Sequence, residues 1–223
     1  YEQLVNLQFL NLEFDLARIK PSLLVENLVL PKNIKGLKLK FSRTPLNKFN
    51  SGDFDLSKPF YQSLAFLQEL KSFAVEISVD SYMAGVYAQP YKKNGLSLLK
   101  SLVGSISSSK LEDLEIVFPL KRLEDPNNEL LLMILSKNTI SLSLTLNLNE
   151  NDLQKLNDCS IDLKYLRRAR LNGSSVLLKK INTNTTKKLE EVIVKQEILE
   201  NNRLMSIINK LADGQNLRKL FLS

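Results

Sequence analysis

The residues that most often perform chemistry near neutral pH are scarce in this chain. Its 223 residues include no histidine, and imidazole supplies most general bases at that pH and most protein zinc ligands. Serine–histidine and cysteine–histidine nucleophile systems are therefore absent from this sequence. The single cysteine, Cys159 in LNDCSIDL, has no imidazole to activate it and reads as a small core residue. The carboxylate pairs Glu112/Asp113 and Glu190/Glu191 stand beside lysines in charged stretches, which suits solvated faces better than the paired acid and base of a glycosidase. No glycine-rich phosphate loop accompanies them. The expectation is a protein without catalysis, metal or cofactor.

Residues suited to binding are better represented. The stretch DSYMAGVYAQPYKKNG, Asp80–Gly95, holds Tyr82, Tyr87 and Tyr91, three of the six tyrosines. Tyrosine offers contact area at low entropic cost, and so long an insertion predicts a contact loop. The net charge of +7 and pI near 9.4 raise a nucleic-acid partner as the alternative to a protein one. That charge is segregated: residues 1–60 carry +3, residues 61–150 carry −2 and residues 151–223 carry +6.

Such groups need elements to hold them, and the pattern of those elements repeats. In LEDLEIVF the apolar residues Leu111, Leu114, Ile116 and Phe118 fall at a step of three and then steps of two, which describes a corner leading into a short strand. The same pattern begins at Leu7, Ile34, Leu70, Ser141, Leu166, Leu189 and Leu217, at successive intervals of 27, 36, 41, 30, 25, 23 and 28 residues. Helical patterns lie between, as in SKPFYQSLAFLQEL, GLSLLKSLVGSI, DPNNELLLMILSKN and QEILENNRLMSIINKLADG, with Asp125 and Pro126 opening the third and Gly214 closing the fourth. Strand, corner and helix at this period predict one α/β solenoid of about eight irregular repeats over residues 1–223, with parallel strands on the inside and helices outside. A doubly wound α/β sheet is the competing architecture.

These repeats resemble the leucine-rich repeat family in its ribonuclease-inhibitor-like form, over nearly the whole chain but with degenerate motifs. The resemblance implies a curved horseshoe with parallel strands on the concave face and helices on the convex face. It also implies an Asn or Cys nine positions into each repeat, bonded to the coil backbone. Asn149 fits that place; Ser42, Ser78 and Ser174 are candidate substitutes, and Asp15, Pro119 and Glu197 depart from it.

In such a solenoid the residues alternating with the leucines face the concave surface. The third, fifth and seventh positions give Phe9, Asn11, Glu13; Gly36, Lys38, Lys40; Ser72, Ala74, Glu76; and Asp113, Glu115, Val117. They continue as Ser143, Thr145, Asn147; Arg168, Arg170, Asn172; Glu191, Ile193, Lys195; and Lys219, Phe221, Ser223. An acidic strip at Glu76, Asp113 and Glu115 gives way, after a neutral coil, to a basic one at Arg168, Arg170, Lys195 and Lys219. Val117, Ile193 and Phe221 stand among the charges as apolar anchors. That mixture suits a protein partner.

The expected role is an interaction domain or scaffold, such as a ubiquitin-ligase adaptor arm, an assembly subunit or an effector's targeting module, with an F-box-like segment before Tyr1 marking the first. No apolar run approaches the roughly 18 residues of a spanning helix, so no membrane insertion is expected. One cysteine excludes an internal disulfide and favours an intracellular setting. The sequons at Asn172 and Asn184 point weakly the other way. Tyr1 in place of Met, and a strand pattern running to Ser223, read as a piece of a longer protein.

Overall fold

The computed structural model describes residues 7–15, 28–42, 56–78, 88–106, 111–118, 129–146, 163–174, 177–180, 183–195, 205, 208–209, 211–212, 214 and 216–223. Eight strands form in chain order: β1 (Phe9–Asp15), β2 (Gly36–Ser42), β3 (Ser72–Ile77), β4 (Asp113–Phe118), β5 (Ser141–Leu146), β6 (Arg168–Asn172), β7 (Glu191–Lys195) and β8 (Lys219–Leu222). Each pairs in parallel with the next, and the sheet order is β1 to β8 without interruption. A doubly wound sheet would reverse direction about a central strand, so that architecture is excluded. The buried side chains of the strands meet those of the described helices in one apolar core on one face of the sheet. The other face is left open.

The corner that the three-residue step implied is built the same way seven times. One carbonyl accepts both backbone N–H groups that open the next strand: Gln8 from Lys35 and Gly36, Lys35 from Lys71 and Ser72, Lys71 from Glu112 and Asp113. Glu112, Ile140, Arg167 and Glu190 continue the series, ending at Arg218 and Lys219. The buried first-step residues Ile34, Leu70, Leu111, Leu166 and Leu189 plug the coil beneath each corner.

Among the described residues, three helices cover the sheet's buried face: α1 (Lys58–Ala65), α2 (Ala88–Ser105) and α3 (Glu129–Ser136). In α1 the Ser57 hydroxyl caps the start by accepting from Phe60 N at 3.4 Å, with proline in the first turn and Phe60 and Leu64 buried. Leu98, Leu99, Leu102 and Val103 of α2 and Leu130, Leu131 and Ile134 of α3 join the strand side chains in one apolar core. Lys100 and Glu129 tie α2 to α3 at 2.7 Å. Asn138, at φ 51° after α3, takes the left-handed conformation that asparagine tolerates. Beside it, Lys137 donates to the Ile106 carbonyl at 2.5 Å, and burial lowers its pKa. Two short helices that the sequence patterns did not single out, α4 (Leu177–Lys180) and α5 (Thr183–Thr186), connect β6 to β7.

Two expectations change. The strand pattern assigned to Ser141 begins two residues earlier: Asp113 aligns with Ser141 and Val117 with Thr145, so Thr139, 5% exposed, holds the place that Leu or Ile takes elsewhere. The intervals 30 and 25 become 28 and 27. The segment expected as a loop over Asp80–Gly95 is helical from Ala88. Pro90 falls in the first turn, where its missing N–H costs nothing, and Gly95 continues the helix. A Cβ there would lie 2.8 Å from two ring carbons of Phe118, so glycine serves close packing. The helix expected to open at Asp125 and Pro126 is described over Glu129–Ser136, and its expected start lies outside the described residues.

The serine substitutes act as the resemblance implied. Ser42, Ser78 and Ser174 donate to the carbonyls of Phe14, Phe41 and Leu144 at 3.4, 3.2 and 3.5 Å. The corrected register moves the corresponding place in the fifth repeat from Asn149 to Asn147; both lie outside the described residues. In the two sequons, Ser174 is thus engaged in the coil, and Thr185 Oγ1 accepts from Leu163 N at 3.0 Å.

Candidate functional site

Alternation along each strand sends one set of side chains into the core and the other onto the open face, and burial follows that alternation from β2 through β7. The register collects the open-face residues into three rows across the sheet. The first runs Phe9, Gly36, Ser72, Asp113, Ser141, Arg168, Glu191, Lys219. The second runs Asn11, Lys38, Ala74, Glu115, Ser143, Arg170, Ile193, Phe221. The third begins at Glu13, Lys40, Glu76 and continues through Val117, Thr145, Asn172 and Lys195. The neutral strand β5 therefore presents Ser141, Ser143 and Thr145, rather than a set ending at Asn147.

Val117, Arg168, Arg170, Ile193, Lys195, Lys219 and Phe221 all stand on this face, as their spacing implied. Tyr82 and Tyr87 lie outside the described residues, and Tyr91 belongs to α2, which packs on the covered side.

Pairing reorganises the expected acidic and basic strips. Arg168 reaches across the small Ser141 to Asp113 at 3.2 Å, two strands away. Glu191 gathers Arg170 at 3.2 Å and Lys219 at 3.7 Å. On the other flank Lys40 meets Glu13 at 3.1 Å and Lys38 meets Glu76 at 3.8 Å. The Lys40 pKa is raised by its hydrogen bond and attraction to Glu13, with a further contribution from Glu76. At the corners below, Lys71 bonds Glu112 at 2.9 Å and Arg167 bonds Glu190 at 2.8 Å; the former raises the Lys71 pKa. Exposed pairs of this type contribute about 0–1 kcal/mol each. Their effect here is to fix side-chain directions and cancel the local field.

Two charged groups in the rows are left over. Glu115, exposed between Ala74 and Ser143, and Lys195, exposed at the end of β7, form no ion pair among the described residues. Alternation placed Glu115, Glu191, Lys38 and Lys40 on this face but not their pairing, which follows only from matching charges across neighbouring strands.

Exposed apolar side chains stand at both edges of the face. Ile193 and Phe221 are direct cross-strand neighbours, and Phe221 is 49% exposed. At the opposite edge the Phe9 ring lies over Gly36, where a Cβ would collide with it. A separate shallow pocket of about 370 Å³ lies at the corners, lined by Lys32, Asn33, Phe66, Gln68 and Glu69. Among the described residues no group of three or more cysteine and carboxylate side chains is placed to hold a metal, and no helix is long and apolar enough to cross a membrane.

Comparison of the chain with models of protein families, with curated proteins and with solved structures returns no match. The functional reading therefore rests on the open face itself.

Proposed function

We propose that this chain is a non-enzymatic protein–protein interaction domain of the leucine-rich-repeat type, a curved solenoid whose open sheet face is concave and holds a protein partner. The observation that carries this reading is the state of the face's charges: Lys38, Lys40, Arg168, Arg170 and Lys219 each already meet a carboxylate. A phosphate backbone is bound through cations whose counterions are released; here protein carboxylates occupy those cations. Val117, Ile193 and Phe221 remain as anchors among paired charges, which is the composition of a protein-binding surface. An intracellular scaffold or adaptor is the setting this reading favours.

Affinity purification with the chain as bait, followed by binding assays on each recovered protein, tests the proposal. Reversing Arg168 and Arg170 to glutamate should abolish binding to one specific partner, and Ile193→Ala should weaken it at least tenfold, about 1.4 kcal/mol. If the double reversal instead loses affinity for many nucleic-acid sequences alike, with a flatter salt slope, and keeps every recovered protein, the partner is a nucleic acid.

A further inference from the structure

We propose that the partner segment seated on the open face carries one basic and one acidic residue spaced to meet Glu115 and Lys195; this inference rests on the protein-binding reading above. Every other charged side chain in the three rows is committed to an opposite charge within the face. Glu115 and Lys195 alone among the rows' described charged residues have no such partner. Both are exposed, so each is hydrated in the free chain and available to a charge brought by a ligand.

The surroundings favour docking between these two points. Glu115 is flanked in its row by Ala74 and Ser143, which leave space on both sides of the carboxylate for an incoming guanidinium or ammonium group. Arg168 is engaged by Asp113, one two-residue step along β4 from Glu115, and Arg170 by Glu191, and neither forms an ion pair with Glu115. Between the two charges lie Ser143, Thr145 and Asn172, side chains that can exchange hydrogen bonds with a polypeptide. Ile193 and Phe221 adjoin Lys195 and give the segment's acidic end an apolar contact.

Three strand steps of about 4.8 Å and one two-residue step along the strand separate the two positions by about 16 Å. An extended segment covers that span in four to six residues, allowing for side-chain reach. The complement is thus a short stretch with a lysine or arginine at one end, an aspartate or glutamate at the other, and an apolar residue beside the acid. A second copy of this chain offers the same two charges, and the sedimentation test below distinguishes that occupant.

Fluorescence anisotropy with synthetic peptides tests this. Each peptide has a Ser/Thr background, one leucine, and one arginine and one glutamate separated by two, four, six, eight or ten residues. The native chain should bind best at separations of four to six, and Glu115→Gln or Lys195→Gln should each weaken that binding about tenfold. Glu115→Lys should shift preference to peptides with two glutamates, and Lys195→Glu to peptides with two arginines. Ser143→Tyr, which blocks the middle of the face, should abolish binding while the melting temperature stays native-like.

Binding that Ser143→Tyr abolishes but that ignores both charges overturns this inference and leaves the open face as the docking surface. Peptide binding indifferent to Ser143→Tyr overturns both readings. Absence of binding by every peptide overturns the two-charge proposal. So does self-association in sedimentation that Glu115→Lys abolishes and an equimolar mixture with Lys195→Glu restores, since the occupant is then a second copy.

Discussion

Glu191 controls two cations of the open face at once. It holds Arg170 at 3.2 Å and Lys219 at 3.7 Å with 18% of its own side chain exposed. Because such surface pairs add about 1 kcal/mol or less, Glu191→Gln should barely alter unfolding. It should, however, release two cations beside the unpaired Lys195, and the variant is expected to elute from heparin at higher salt than the native chain. Identical elution would mean that the carboxylate does not mask them. A second residue-scale test concerns Gly95. Alanine inside a helix ordinarily gains about 1 kcal/mol over glycine, yet here its Cβ would lie 2.8 Å from the ring of Phe118, which is 1% exposed. Overpacking costs about 1–3 kcal/mol and should win. Urea unfolding is expected to show Gly95→Ala destabilised, and the same change to be neutral or stabilising once Phe118 is reduced to leucine.

At the scale of the element, the fifth repeat departs from its neighbours. Thr139 is buried where others place Leu or Ile, and among the described residues its hydroxyl forms no hydrogen bond. Thr139→Val removes an unsatisfied buried hydroxyl at nearly constant shape, and should stabilise by about 1 kcal/mol, read as a higher midpoint of thermal unfolding. A lower midpoint would reveal a bond the hydroxyl makes to water. In contrast, Ser174→Ala breaks the bond to Leu144 O and should destabilise by about 1 kcal/mol.

The same threonine explains how much of the element pattern was legible. Seven strands are legible in register because an apolar side chain marks each corner; β5 reads two residues late because Thr139 is polar and the regular alternation begins at Ser141. The start of α2 was obscured by Pro90 and Gly95, which read as loop residues until Phe118 gives the glycine a reason to be helical. The open-face residues followed from alternation alone. Their ion pairs did not, since Arg168–Asp113 joins residues whose nearness depends on two strand pairings and a small serine between them.

For the whole molecule, the uninterrupted order β1 to β8 makes one sheet face available, and most charges on that face are paired within it. The three rows carry six cations and five carboxylates, a net +1, so most of the chain's +7 charge lies off this face. Partner binding by the native chain should therefore weaken only modestly as salt rises, in contrast with the steep log-linear loss of a phosphate-binding protein. Hydroxyl-radical footprinting of the chain, free and bound to a partner recovered with it, tests the central claim most directly. Phe221, 49% exposed on the open face, and Leu132, 51% exposed on helix α3, begin equally accessible to the radical. The account predicts that the partner protects Phe221, together with Ile193 and Val117, and leaves Leu132 and Tyr165 unchanged. Protection of Leu132 or Tyr165 with Phe221, Ile193 and Val117 still fully oxidised would contradict it.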